Sequence, residues 1–175
     1  MIRFVVIFIA LFLFYLEPIL GLISPFKIGE EFYILVPRFL IMYLIFVSIY
    51  YNRKRAIQLG VIFGLLYDVF FIDIIGLYAF IYPILIVIAT WVMRYIHMNI
   101  VTLTLLILLL LAGLESLLFI FNTIIGNSGL YFDEFLKLRL VPTMIANSVF
   151  LVTVGWFFKW ILLQRYEQKY QANTL

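Results

Sequence analysis

Residues 100–125 read IVTLTLLILLLLAGLESLLFIFNTII, an apolar run whose single ionisable member is Glu115. At ~1.5 Å per residue such a helix covers about 39 Å, more than the ~30 Å hydrocarbon core of a bilayer. The run is uniformly apolar, with no alternation of period 2, so it reads as a helix rather than a barrel strand. Five further runs of the same kind flank it: Ile2–Leu22, Val36–Tyr51, Ala56–Phe71, Gly76–Met93 and Leu140–Leu163. The second and third are short, so their ends must lie near charged groups or the bilayer must thin around them. The fifth, Ile100–Ile125, is long enough to tilt.

Composition agrees with six membrane crossings. Of 175 residues, 67% are hydrophobic and only 12% charged, against roughly 45–50% and about 25% in soluble domains. A disordered chain, a soluble globular domain and a basic nucleic-acid-binding domain are excluded on this ground. The chain has no cysteine, so disulfides, thiolate nucleophiles and Cys-ligated metals are unavailable. The expectation is an all-α integral membrane protein: a six-helix transmembrane domain over residues 1–163 and a short polar tail over 164–175. The first run resembles a signal peptide in length, but it has one basic residue in front and no small-x-small cleavage site before Glu17–Pro18, so it is read as a retained helix. Only the loops Ile23–Leu35 and Gly126–Arg139 leave room for local structure.

Basic residues set the expected orientation. With both termini in the cytoplasm, that side carries Arg3, Arg53, Lys54, Arg55, Arg94, Lys159, Arg165 and Lys169, while the outer side keeps Lys27, Arg38, Lys137 and Arg139. This distribution follows the positive-inside rule. Glu30, Glu31, Asp73, Asp133 and Glu134 fall on the outer side, and Trp91, Tyr95, Trp156 and Trp160 fall near the cytoplasmic interface. The net charge of +3 is thus a matter of topology. The Asn52–Arg55 turn is the densest basic cluster, and contact of Arg53–Arg55 with anionic lipid or an inner partner is a second reading, though orientation alone explains it.

Ionisable groups within a span cost at least ~2.5–3.5 kcal/mol at its centre, so each needs a partner or water. Four stand out. Counted from the nearest cytoplasmic marker, Glu17, Arg38, Asp68 and Glu115 all sit at a depth of roughly 20–22 Å, in the outer third of the membrane. They are expected to form one polar layer, with Arg38 as its cation paired to one or more of the three acids and Arg139 as a second cation. The alternative is four separate residues, each reaching toward the headgroups. Gly60 and Gly64 form a GxxxG that lets another helix approach closely, and packing within the chain is the expected use.

No catalytic or metal constellation emerges, and no cofactor is expected. His97 stands alone beside Arg94 at the membrane edge. Asp68 and Asp73 lack the repeated acidic pattern that holds magnesium against a diphosphate. Glu115 and Asn122 share a helical face, which reads as hydrogen bonding between helices.

The order and spacing of several motifs resemble one known family, the rod shape-determining MreD proteins of bacteria, especially their Gram-positive branch. The likeness spans nearly the whole chain. It includes Glu17–Pro18, Val36-Pro37-Arg38-Phe39, the stretch from Gly60 through Gly64 to Asp68, and Gly76-Leu-Tyr78. Tyr82–Pro83, Arg94-Tyr-Ile-His97, Glu115, Arg139-Leu-Val-Pro142-Thr143 and Asn147 continue it. The fifth span departs from the family in how few small residues flank Glu115.

The resemblance implies a non-enzymatic scaffold of the cell-elongation machinery in the bacterial cell membrane. Such a subunit binds MreC directly and supports lateral peptidoglycan synthesis. MreB, RodA and a class B penicillin-binding protein are then partners through the complex, with membrane lipids around it and no nucleic acid. It also implies a fold similar to the six-helix substrate-binding subunits of energy-coupling-factor transporters, with a cavity opening outward. A small-molecule (vitamin-like) binding subunit of such a transporter is therefore the alternative function. Against it, those subunits dock through a small-xxx-small face on the first helix, where this chain has the bulky run from Phe4 to Phe14.

Overall fold

The computed structural model describes residues 2–96, 99–126, 129 and 131–172, with side chains described from Phe4 to Leu163 within those ranges. His97 and the side chains of Arg3, Arg165 and Lys169 lie outside it. Apart from one small hairpin the described chain is all-α. The helices are α1 Ile2–Gly21, α2 Phe39–Tyr50, α3 Arg53–Tyr67, α4 Leu77–Val92, α5 Ile100–Ile125, the single turn α6 Phe132–Glu134 and α7 Val141–Ala172. π-helical turns, Asp68–Ile72 and Phe135–Leu140, follow α3 and precede α7. Four segments are long and apolar enough to cross a membrane: Phe4–Gly21, Arg53–Ile72, Ile100–Ile125 and Phe132–Leu163. The helices α2 and α4 are apolar but shorter.

The order of the packing follows from which helix is apolar on every side. From Leu40 to Val47, α2 has no exposed surface at all, as a helix lacking a polar face requires. It is the axis of the bundle, and α1, α3, α4 and α7 pack around it. Its aromatic rings meet α7: Phe39 stacks on Phe150 with centroids 3.8 Å apart, and Phe158 lies edge-on to Tyr43 and Phe46. The outer helices instead expose one apolar stripe, such as Phe4, Phe8, Phe12 and Tyr15 of α1. In α5 the buried positions Leu103, Leu106, Ile107, Leu111, Leu114 and Leu118 form a stripe at helical spacing, so leucines rather than small residues make its packing surface.

Gly60 and Gly64 face α4 within the same chain. A Cβ on Gly64 would sit 2.5 Å from the Tyr78 carbonyl oxygen and 2.7 Å from the Ala79 backbone. One on Gly60 would meet the tip of Ile86 at 2.9 Å. Here the missing side chain sets the distance between two helices.

The second expected span begins later than its hydropathy suggests. Val36–Arg38 is non-helical, and α2 starts at Phe39. Pro37 explains this locally, since it biases Val36 away from the helical region and has no N–H to donate. Both expected loops hold local structure. Strands β1 Phe26–Ile28 and β2 Glu31–Tyr33 pair antiparallel, and α6 with its π turn leads into α7. The helical backbone of α7 also continues beyond Leu163 into the segment read as a tail.

Candidate functional site

The termini of successive helices meet at one end of the bundle, and the buried charges gather there. Glu17 closes α1, Arg38 opens α2, Asp68 ends α3, and Glu115 lies in the C-terminal half of α5. Their exposures are 1%, 2%, 0% and 0%. Arg139, just before α7, is the partly exposed member, with 28% of its side chain accessible.

Glu115 is shared by two arginines. Its Oε1 accepts from Arg38 Nε and Nη2 at 2.8 and 2.7 Å. Its Oε2 accepts from Arg139 Nε and Nη2 at 3.2 and 3.1 Å. Each guanidinium therefore presents two donors to one oxygen, a strong charge-assisted arrangement. The other face of Arg38 lies over the Tyr78 ring, 5.2 Å from its centroid, where the ring quadrupole favours a cation. One carboxylate on α5 thus ties the start of α2 to the start of α7.

The other two acids serve backbone amides. Glu17 Oε1 accepts from Leu40 N at 2.6 Å and its Oε2 from the Tyr67 hydroxyl at 2.8 Å, which joins α1, α2 and α3. Asp68 accepts from Gly76 N, Tyr78 N and Ala79 N at 2.9, 2.7 and 3.1 Å. It therefore caps the N-terminus of α4 across the turn from α3, where the helix dipole also favours a negative charge. The left-handed φ of 106° at Gly76 bends the chain back so that these amides converge on one carboxylate.

The non-helical segment before α2 depends on the same neighbourhood. Ile34 N donates to Leu138 O at 2.7 Å, Leu35 N to Ser24 Oγ at 2.8 Å and Val36 N to Thr143 Oγ1 at 3.1 Å. Arg38 N donates to Asn147 Oδ1 at 2.9 Å, while Asn147 Nδ2 donates to Val36 O at 3.0 Å. Non-helical backbone deep in an apolar medium needs such partners, and here side chains of α7 provide most of them.

Of the residues expected to form one layer, Arg38, Arg139 and Glu115 are brought into direct contact. Glu17 and Asp68 lie at the same end but bond to backbone and tyrosine instead of a cation. Thr143 and Asn147, which sequence reading noted only within motifs, turn out to hold the lead-in to α2. Their spacing of four on an apolar helix was the available signal. Asn122 does not bond across helices as expected, because its Nδ2 donates to Leu118 O one turn back in α5. Tyr82 is fully buried, and its hydroxyl has no hydrogen-bond partner among the described residues.

Fold and site together define a helical membrane protein with, among the described residues, four helices long and apolar enough to cross a bilayer, whose buried acids fasten helices to one another. The family model for the rod shape-determining protein MreD matches residues 1–166. The rod shape-determining protein MreD of Bacillus subtilis is 31% identical over 145 residues, covering 83% of this chain and 84% of that protein. The chain belongs to the MreD family and is a rod shape-determining membrane protein. No solved structure matches it.

Proposed function

We propose that the protein is a non-enzymatic scaffold of the bacterial cell-elongation complex. It crosses the membrane six times with both termini in the cytoplasm, binds MreC directly and supports lateral peptidoglycan synthesis. MreB, RodA and a class B penicillin-binding protein associate with it through the complex. The observation that carries this reading is the use of the buried carboxylates. Glu17, Asp68 and Glu115 each bond to backbone amides, a tyrosine or arginines that belong to other helices. Groups committed to architecture in this way are poorly placed to act as acid or base.

Six crossings are supported although α2 has only 12 residues, about 18 Å of helix. Its non-helical lead-in is itself buried or half-buried and hydrogen-bonded, so it carries the chain through the remaining depth. The polar end, with Arg139 partly exposed, then faces outward, and it sets the register of MreC's membrane helix or the start of its outer domain.

The transporter-subunit reading, with its outward cavity, is less favoured. Large aromatic side chains, Phe39, Tyr67, Tyr78 and Tyr82, are buried between helices in that half of the bundle. Depletion in the native cell tests the choice. Rounded cells with intact vitamin uptake support the scaffold, and a vitamin auxotrophy with rod shape retained refutes it. At matched expression, recovery of the protein from detergent without MreC counts against direct binding.

A further inference from the structure

The opposite end of the bundle carries a different kind of site. There α1 and α3 separate. They meet near the polar end, where the Phe14 ring packs on Phe63 and Tyr67. Toward their N-termini they diverge around a groove of about 680 Å³. Val6 and Ile7 of α1 line one side, Leu59 and Ile62 of α3 the other, and Gln58 and Arg55, nearer the start of α3, complete the lining.

Charge is segregated along the same axis. Among the described side chains this end holds Arg53, Lys54, Arg55, Arg94 and Lys159 and no carboxylate, all the described acids being at or beyond the polar end. Three of these cations crowd the first turn of α3, which has no acidic residue, although the helix dipole disfavours positive charge there. The Arg55 guanidinium spends one donor on the Tyr51 hydroxyl at 3.1 Å and lies over that ring. Its other donors are not used within the described residues.

We infer that this groove binds one anionic glycerophospholipid, with an acyl chain against Val6, Ile7 and Ile62 and the phosphate on Arg55. A mostly apolar slot with Arg55 in its lining and further cations in the same turn matches an amphiphile with an anionic head. A neutral helix from another protein would leave the cations without a counter-charge. The bound lipid would fill the wedge between α1 and α3.

The test is native mass spectrometry of the full chain, purified in neutral detergent and supplied with phosphatidylglycerol or phosphatidylcholine at equal mole fraction. Wild type should retain phosphatidylglycerol about five-fold more than phosphatidylcholine, at roughly the effect of one added cation near an anionic surface. Arg55→Gln should bring the two lipids to near parity and Arg55→Lys should restore most of the preference. Arg53→Gln, which is not on the groove wall, should keep most of it. Ile62→Trp, at a half-exposed wall position, should reduce retention of both lipids. Size-exclusion elution of each variant checks that it is folded. Equal retention of the two lipids by wild type, or equal losses for Arg53→Gln and Arg55→Gln, overturns the assignment. So does a photoreactive residue at position 62 that captures a protein helix and no lipid in native membranes.

Discussion

The two ends of this bundle solve opposite problems. At the polar end, α1, α2, α3, α5 and α7 are fastened by Glu17, Arg38, Glu115, Thr143 and Asn147, and every one of these residues is buried. At the basic end the helices are joined mainly by apolar contact, α1 and α3 part company, and the cations are left toward the surface. Rigid geometry at one end and adaptable, charge-rich surface at the other suits a protein that presents a fixed face to one partner while resting in lipid at its other face. The difference also predicts where substitutions hurt.

The largest effect is expected at Glu115. Glu115→Gln leaves the buried Arg38 guanidinium without a counter-charge and deprives the partly exposed Arg139 of its partner, a loss of about 3–5 kcal/mol. It should show as failure to accumulate or as a collapsed melting temperature in detergent. Asn147→Ala comes next. It orphans the Arg38 N–H and the Val36 carbonyl, and at about 1–3 kcal/mol for a buried unsatisfied group it should lower the melting transition clearly without abolishing expression.

Gly64→Ala and Gly60→Ala sharpen the comparison between ends. The first drives a methyl into the backbone of α4 and should cost about 1–3 kcal/mol, since overpacking against backbone cannot relax. The second, one turn nearer the basic end, meets the flexible tip of Ile86 at 2.9 Å and Pro83 only at ordinary contact distance, 3.5 Å or more, and should stay under about 1 kcal/mol. Denaturant titration of the pair in micelles would measure both. The smallest effects belong to two tyrosines. Tyr67→Phe removes a bond to Glu17 and should destabilise by about 1 kcal/mol, whereas Tyr82→Phe deletes a hydroxyl with no described partner and should be neutral or slightly stabilising.

How far the sequence foretold this depends on the range of the interactions. The bounds of α5 were readable because the signals are local: Asn99 caps its start through Val101 N, and Gly126 follows its end with φ 82°. The start of α2 was not readable. Val36 and Arg38 are held by Thr143 and Asn147, more than a hundred positions away, and hydropathy sees only the apolar run. Depth counting placed four ionisable residues at one level, yet it could not assign their partners. Asp68 looks like a membrane charge in need of a cation, while its carboxylate in fact serves amides 8–11 residues further along. A carboxylate that caps a neighbouring helix and one that pairs with arginine have the same sequence signature.

The account rests on Glu115 binding α2 and α7 together through Arg38 and Arg139, and a double-mutant cycle over Arg38→Gln and Glu115→Gln measures this directly. Unfolding free energies in one detergent are expected to be strongly non-additive, with a coupling of about 2–3 kcal/mol and the double variant more stable than Glu115→Gln alone. Additive losses would contradict it, because the two side chains would then be contributing independently.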